Sequence, residues 1–161
     1  MTRVVVTGLG AVTPIGNDVE TFWKNLIAGV SGVDFIKTFD TTGLEVRFGA
    51  EVKDFRPEDY MDHKTVKRSS RSSQLALAAA LQALKDAGYE VTPEEAERVG
   101  VVLNTGAGGV AEVFIEGVKF LQKGPRFVNP LFIPIIMPNA PSCLISLVTG
   151  AKGPILTSAL A

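Results

Sequence analysis

Apolar and polar positions follow distinct rhythms along the 161 residues. Residues 4–7, Val-Val-Val-Thr, form a β-branched run closed by Gly8 and Gly10, with Pro14 and Gly16 beyond, which predicts a strand entering a tight loop. From Asn17 the rhythm becomes helical. Asn17 and Glu20 have capping-box spacing, Phe22, Trp23, Leu26 and Ile27 form an apolar stripe, and Gly29 suits the stop. Residues 30–63 are polar and turn-rich, with a short extended piece at 44–48, and predict mostly surface structure. The longest helical pattern covers about 64–87. Leu77, Leu81 and Leu84 share one face, Ala76, Ala80, Ala83 and Ala87 give a flat face that a neighbour can approach closely, and Gly88 ends the run.

Thr92, Pro93 and Glu95 combine an N-cap, a first-turn proline and a capping-box acid, so a short helix is expected there, followed by a strand over 99–103. A second glycine loop, 104–109, leads into a helix whose stripe is Val110, Val113, Phe114, Val118 and Leu121, broken at Lys123-Gly124-Pro125. Prolines at 125, 130, 134 and 138 among large apolar side chains exclude a central strand over 126–138 and predict an extended wall of a cavity or interface. Asn139 then caps a helix with Pro141 in its first turn, running to about 148, and 150–154 turn the chain into an apolar run at 155–161. That run reads as a strand buried on both faces and ends without turn, cap or polar tail, so the expectation is a piece of a longer protein. The order βα…αβα…αβ indicates an α/β protein with helices flanking a sheet.

Composition narrows the function classes. The length suits one domain, and 16 Lys plus Arg against 17 Asp plus Glu leave a net charge of −1, so global charge gives no reason to expect nucleic acid. A single cysteine excludes a disulfide framework within the chain. No apolar stretch approaches about 20 residues and residues 4–6 are far too short for a signal-peptide core, so no membrane contact is expected and cytoplasmic residence is the default.

The glycine loop at 8–10 invites a dinucleotide-binding reading, but Thr13 stands where the third glycine belongs, which favours a plain strand-to-helix turn. His63, Lys64, Lys67, Arg68 and Arg71 form the dense positive cluster. Three-to-four spacing puts Lys64, Lys67, Arg68 and Arg71 on one side of a helix start, where cations oppose the macrodipole. A solvated face is the ordinary reading of such a run, and the lack of acidic partners raises that of an anionic partner. Cys143 lies in an apolar helical stretch and reads as a small buried hydrophobe. His63 has no triad partners, no cluster has metal-ligand spacing, and no complete catalytic constellation is present.

Beyond these single motifs, a set of residues in order along the whole chain resembles the β-ketoacyl-acyl carrier protein synthases, most closely the type II condensing enzymes of the dissociated fatty-acid pathway. They are Arg3 to Gly10 with Thr13-Pro14-Ile15-Gly16-Asn17, Thr21-Phe22-Trp23, Phe39-Asp40-Thr41, Gly106-Ala107-Gly108-Gly109, Gly124-Pro125-Arg126, Pro134, Asn139 and Lys152-Gly153-Pro154. The resemblance implies a thiolase-like α/β fold, five α-β-α-β-α layers in two similar halves, with residues 1–161 as most of the first half and incomplete at the C-terminus. It implies an acyltransferase that joins malonyl carrier protein to an acyl-enzyme thioester by decarboxylative Claisen condensation. No cofactor or metal is implied, because the substrates ride on the phosphopantetheine of acyl carrier protein; a homodimer is implied. The nucleophilic cysteine is expected immediately after Ala161, so none of the family's catalytic side chains falls within this chain and Cys143 is not the nucleophile. Lys64, Lys67, Arg68 and Arg126 match cations that face the acidic carrier protein, while Ala107 and Phe132 match the acyl pocket. Departures from the family pattern include Ser70 for aspartate, Ser72 for an aromatic, Phe127 at an often basic site, Ala107 for isoleucine, residues 140–143 in place of a small, glycine-containing run, and Leu160 for a small polar residue. They leave open a synthase of a polyketide or specialised lipid pathway, or a catalytically silent chain-length partner.

Overall fold

The N-terminal valines do not enter a sheet. A computed structural model describes residues 3–160, and in it Val4, Val5 and Val6 are exposed and have no strand partner among the described residues. A strand is held by ladder bonds from a neighbouring strand, and here the chain leans on a helix instead. The Leu9 amide donates to Asp86 Oδ2 at 2.9 Å and the Ala11 amide to Gln82 Oε1 at 3.0 Å. A Cβ built on Gly8 would lie 2.2 Å from the Ala83 carbonyl oxygen, and one on Gly10 1.9 Å from that of Ala79. Both glycines are thus consumed in packing backbone against the alanine face of the long helix.

Helix α1 (Val19–Ile27) starts one residue later than expected. Asp18, not Asn17, is the N-cap, accepting from the Thr21 amide at 2.7 Å. The Thr21 amide and then its hydroxyl hold the Asp18 carboxyl below its ordinary range. Asn17 is occupied elsewhere, donating through Nδ2 to the Lys53 carbonyl at 2.7 Å. The turn-rich region contains a two-residue antiparallel ladder, β1 (Asp34–Phe35) with β2 (Phe48–Gly49), pairing Phe35 with Phe48.

The long helical pattern is broken into α2 (His63–Lys67) and α3 (Arg71–Asp86). Ser70 lies between them with extended backbone and caps α3 by accepting from the Ser73 amide. A serine that can serve a following helix as N-cap competes with continuing the preceding one. The acidic segment from Thr92 makes a turn and a single 3-10 turn, Ala96–Arg98, rather than an α-helix.

Strand β3 (Val101–Thr105) is followed by α4 (Val110–Lys123), a 3-10 turn at Pro125–Phe127, α5 (Phe132–Ile136), α6 (Ala140–Thr149) and β4 (Ile155–Ala159). The expected extended wall therefore contains a helix. Pro134 sits in the first turn of α5, where its missing N–H breaks no intrahelical bond. β3 and β4 pair in parallel from Val101↔Ile155 to Thr105↔Ala159, with the three helices as the crossover that parallel pairing requires. Helix α6 covers one face of this pair, so Val101, Leu103 and Thr105 are half-buried while Val102 and Asn104 are exposed. β4 is not buried on both faces. Only Thr157 of that strand is half-buried, because the described residues supply a layer on one side alone. The Thr157 and Ser142 hydroxyls meet at 2.5 Å beneath it. The core lies where α3 packs on α6, with Leu77 and Ala78 fully buried and Ile145 nearly so. Among the described residues no helix is long and apolar enough to cross a membrane. Ala161, and with it the position expected for the nucleophile, lies outside the described residues.

Candidate functional site

The positive cluster is built by the break at Ser70. Asp62 starts α2 by accepting from the Thr65 amide at 2.9 Å and its hydroxyl at 3.0 Å, and these two donors hold its carboxyl below the ordinary range. Five residues later α2 is over, with Arg68 as C-cap. Lys67 and Arg68 consequently sit at the C-terminal end of a short helix, where cations complement the macrodipole, while Lys64 is its second residue. The expected conflict with a helix N-terminus is thereby removed for Lys67 and Arg68, and at Lys64 the neighbouring Asp62 carboxylate offsets it. All three side chains are exposed and none forms an ion pair among the described residues. Arg71, which the spacing placed beside them, belongs to α3 and stacks its guanidinium 4.6 Å above the Phe55 ring. Its backbone amide donates to Glu112 Oε1 at 2.9 Å, which supplies the negative charge that the start of α3 favours.

Arg126 lies apart from α2, exposed on the Pro125–Phe127 turn, and it too has no ion pair among the described residues. Phe132 opens α5 and is half-buried in a groove of about 270 Å³ that it lines with Val113, Glu116, Gly117, Phe120 and Val128. Ala107 is exposed in the loop 106–109 and does not line that groove. The two elements are nonetheless tied together. The Gly109 amide donates to the Ile136 carbonyl at 3.3 Å, and a Cβ on Gly108 or Gly109 would meet the backbone of Ile136 or Pro138 at about 3 Å or less. Ser72 completes the clamp by donating to the Gly108 carbonyl at 3.2 Å, and Thr105 Oγ1 accepts from the Gly108 amide at 3.1 Å. The loop is thus pinned from α3, β3 and α5.

Sequence reasoning singled out Ser72 only as a departure from the family pattern, not as a clamp on the loop, and missed Glu112 and Glu116. The apolar stripe of α4 is largely uncovered, with Phe114 and Leu121 72% and 83% exposed, and the buried side chain of that helix is Glu116. An acid at i+3 from Val113 and four before Phe120 was the available signal, since that spacing puts the three on one face. Cys143 is half-buried, a free thiol with Asn139 Nδ2 3.8 Å from its sulfur. Among the described residues no group of His, Cys, Asp and Glu could hold a metal ion.

Residues 1–159 match the family model described as Beta-ketoacyl synthase, N-terminal domain. The chain belongs to that family. Curated relatives include a 3-oxoacyl-[acyl-carrier-protein] synthase 2 of Staphylococcus aureus (strain COL), 42% identical over 152 residues, and one of Vibrio cholerae with the same identity and length of match. In both cases the match takes in 94% of this chain and 37% of the relative, so the chain spans little more than a third of their length. Among solved structures, the ishigamide ketosynthase/chain length factor superposes with a TM-score of 0.85 at 30% identity, over 96% of this chain and 39% of that one. A β-ketoacyl synthase from Burkholderia phymatum does so with a TM-score of 0.79 at 26% identity, over 99% and 40%. The fold is therefore the α/β, thiolase-like fold of the ketosynthases. The first glycine loop is accounted for without a nucleotide, because the tight approaches of Gly8 and Gly10 end on the backbone of α3.

Proposed function

We propose that the protein carrying this chain is a 3-oxoacyl-acyl carrier protein synthase of fatty acid biosynthesis, with residues 1–161 as the N-terminal part of its first thiolase-like half. The observation that carries the reading is the 42% identity over 94% of the chain to named 3-oxoacyl-[acyl-carrier-protein] synthases. On this reading a cysteine beyond the described residues, in the position after Ala161, takes an acyl group from the carrier thiol. Malonyl carrier protein then loses carbon dioxide and leaves its electron pair on C2. That carbon forms a bond to the acyl carbonyl carbon and expels the cysteine thiolate, so no redox partner or cofactor is needed.

The contribution of the described residues is recognition. Lys64, Lys67 and Arg68 on α2, with Arg126 on its separate turn, meet the acidic carrier protein; unpaired exposed cations steer an anionic partner and set its orientation. Phe132 and the groove beside it receive the acyl chain, and the small Ala107 leaves room at the adjoining loop. The protein works in the cytoplasm as a homodimer, which gives the exposed Phe114 and Leu121 of α4 a covering surface. The test is carbon dioxide release from malonyl carrier protein with an acyl primer, together with the mass of the protein after primer alone. No release and no acylated cysteine rejects the reading. The likeness to the ishigamide ketosynthase/chain length factor favours a second reading, a condensing enzyme or silent chain-length partner of a polyketide or specialised lipid pathway. A protein that shows no acylation alone and restores condensation when mixed with a partner ketosynthase is that chain-length subunit.

A further inference from the structure

Glu116 is the buried charged side chain among the described residues, 7% exposed in the wall of an otherwise apolar groove. Its two oxygens are both used. Oε1 receives Lys119 Nζ at 2.5 Å, and Oε2 receives the backbone amide of Asn129 at 2.8 Å. The Lys119 ammonium, and after it the Asn129 amide, hold the carboxyl below its ordinary value. Asn129 is itself a junction. Its Oδ1 accepts from the Leu131 amide at 2.9 Å and its carbonyl from the Phe132 amide, also at 2.9 Å. The start of α5 is therefore suspended from Asn129, and Asn129 is held to α4 by one carboxylate oxygen.

Burying a carboxylate costs free energy that an apolar side chain of the same size does not, and pairing rarely returns more than it takes. What an apolar residue cannot do at this position is accept the Asn129 amide. We propose that Glu116 is a positioning residue of the acyl groove: by holding Asn129 it fixes where Phe132 stands relative to Val113 and Phe120, and so sets which acyl lengths enter. This inference rests on the condensing function proposed above.

The test uses the intact protein and four variants, read by hydrogen exchange over residues 127–133 and by the ratio of turnover with long to short acyl carrier protein primers. Glu116→Leu removes the acceptor at similar volume, and Asn129→Ala removes the Leu131 contact while Glu116 stays. Each should speed exchange and change the primer ratio by about tenfold, the scale of one net hydrogen bond. Glu116→Gln keeps an acceptor for the Asn129 amide and should restore both readings. Lys119→Met removes the ion pair alone and should leave the ratio unchanged. The inference is overturned if Leu and Ala variants keep the wild-type ratio, if faster exchange comes with an unchanged ratio, or if Gln behaves as Leu does. Absence of condensation in the wild-type protein would instead bring down the proposed function, and the exchange measurement would then decide the Glu116–Asn129 link by itself. Should Glu116→Leu not fold, Glu116→Met, which likewise offers the Asn129 amide no strong acceptor, carries the same decision against Glu116→Gln.

Discussion

Replacing Gly10 with alanine asks whether the first glycine loop exists to meet a helix. The added Cβ would stand 1.9 Å from the Ala79 carbonyl oxygen, 2.9 Å from its carbonyl carbon and 3.0 Å from the Ala83 nitrogen. These are backbone atoms of α3, so no rotamer change relieves the contact, and the segment has to retreat by more than 1 Å. Retreat strains the Ala11–Gln82 bond at 3.0 Å and the Leu9–Asp86 bond at 2.9 Å. A net hydrogen bond is worth about 1 kcal/mol, and overpacking a close contact costs about 1–3 kcal/mol. Gly10→Ala should therefore destabilise by about 2–4 kcal/mol, the sum of those effects with the exposed Leu9 bond discounted.

Urea unfolding of the intact protein measures this as a lower midpoint at unchanged slope. The mechanism makes two further demands. Ala79→Gly in the Gly10→Ala background should not rescue, because the obstacle is a carbonyl and not a methyl. Gly117→Ala in the middle of α4, where a Cβ meets nothing within 4 Å, should stabilise by about 0.5–1 kcal/mol. A Gly10→Ala protein within about 0.5 kcal/mol of wild type, the range of an ordinary surface substitution, would refute the close-approach argument and reopen the loop to a ligand.

Reversing Lys64, Lys67 and Arg68 to glutamate should weaken apparent affinity for acyl carrier protein by about tenfold or more at low salt, with the difference shrinking as salt rises; equal affinities in a low-salt titration would remove α2 from the docking surface. Asp62→Ala takes away the N-cap of α2 at a cost of about 1 kcal/mol, and should raise the KM for carrier protein while sparing turnover at saturation. The Glu116 carboxyl lies below its ordinary value of 4.5 in the folded protein. A depressed carboxylate contributes stability that is fully present above the unfolded value and is lost as pH falls through the folded one. The primer ratio should thus be flat from about pH 6 to 8, and the wild-type stability advantage over Glu116→Gln should disappear in acid below 4.5.

Elements bounded by local chemistry were legible in the sequence. The span of α4 follows from the flanking glycines at 109 and 124, and the start of α6 from Pro141 in its first turn, although the Asn139 side chain does not cap it and instead faces Cys143. The misses share a cause. Val4 to Val6 have every local mark of a strand, but strand formation needs a partner that the pattern around them cannot supply. Pro134 reads as a breaker unless it is known to fall in a first turn. Ser70 inside an alanine-rich helical run looks tolerable, and only its capping of Ser73 reveals a second helix start. In the candidate site, unpaired exposure of the α2 cations could be inferred from charge spacing. For Glu116 the spacing from Val113 and Phe120 gave its face but not its burial, because periodicity ranks positions by polarity and assigns an acid to the outside even when two donors await it on the inside.

The break at Ser70 has a consequence larger than the shift of a boundary. One continuous helix over 64–87 would place the cations in its first turn, repelling the positive end of the dipole, and would leave the 106–109 loop without its anchor. Two helices solve both problems at one point. Lys67 and Arg68 move to the end of α2, while the new N-terminus of α3 takes the Glu112 carboxylate on the Arg71 amide and aims Ser72 at the Gly108 carbonyl. Thus the basic face and the glycine loop are fastened to opposite ends of a three-residue interruption, with Glu112 linking α4 to the same spot. On the proposed function, a carrier protein pressing on Lys64, Lys67 and Arg68 bears on the structure that holds Ala107 in place. Ser70 and Ser72 fall at this joint, which is where a change in side chain alters the loop while leaving the α2 cations and the Phe132 groove as they are.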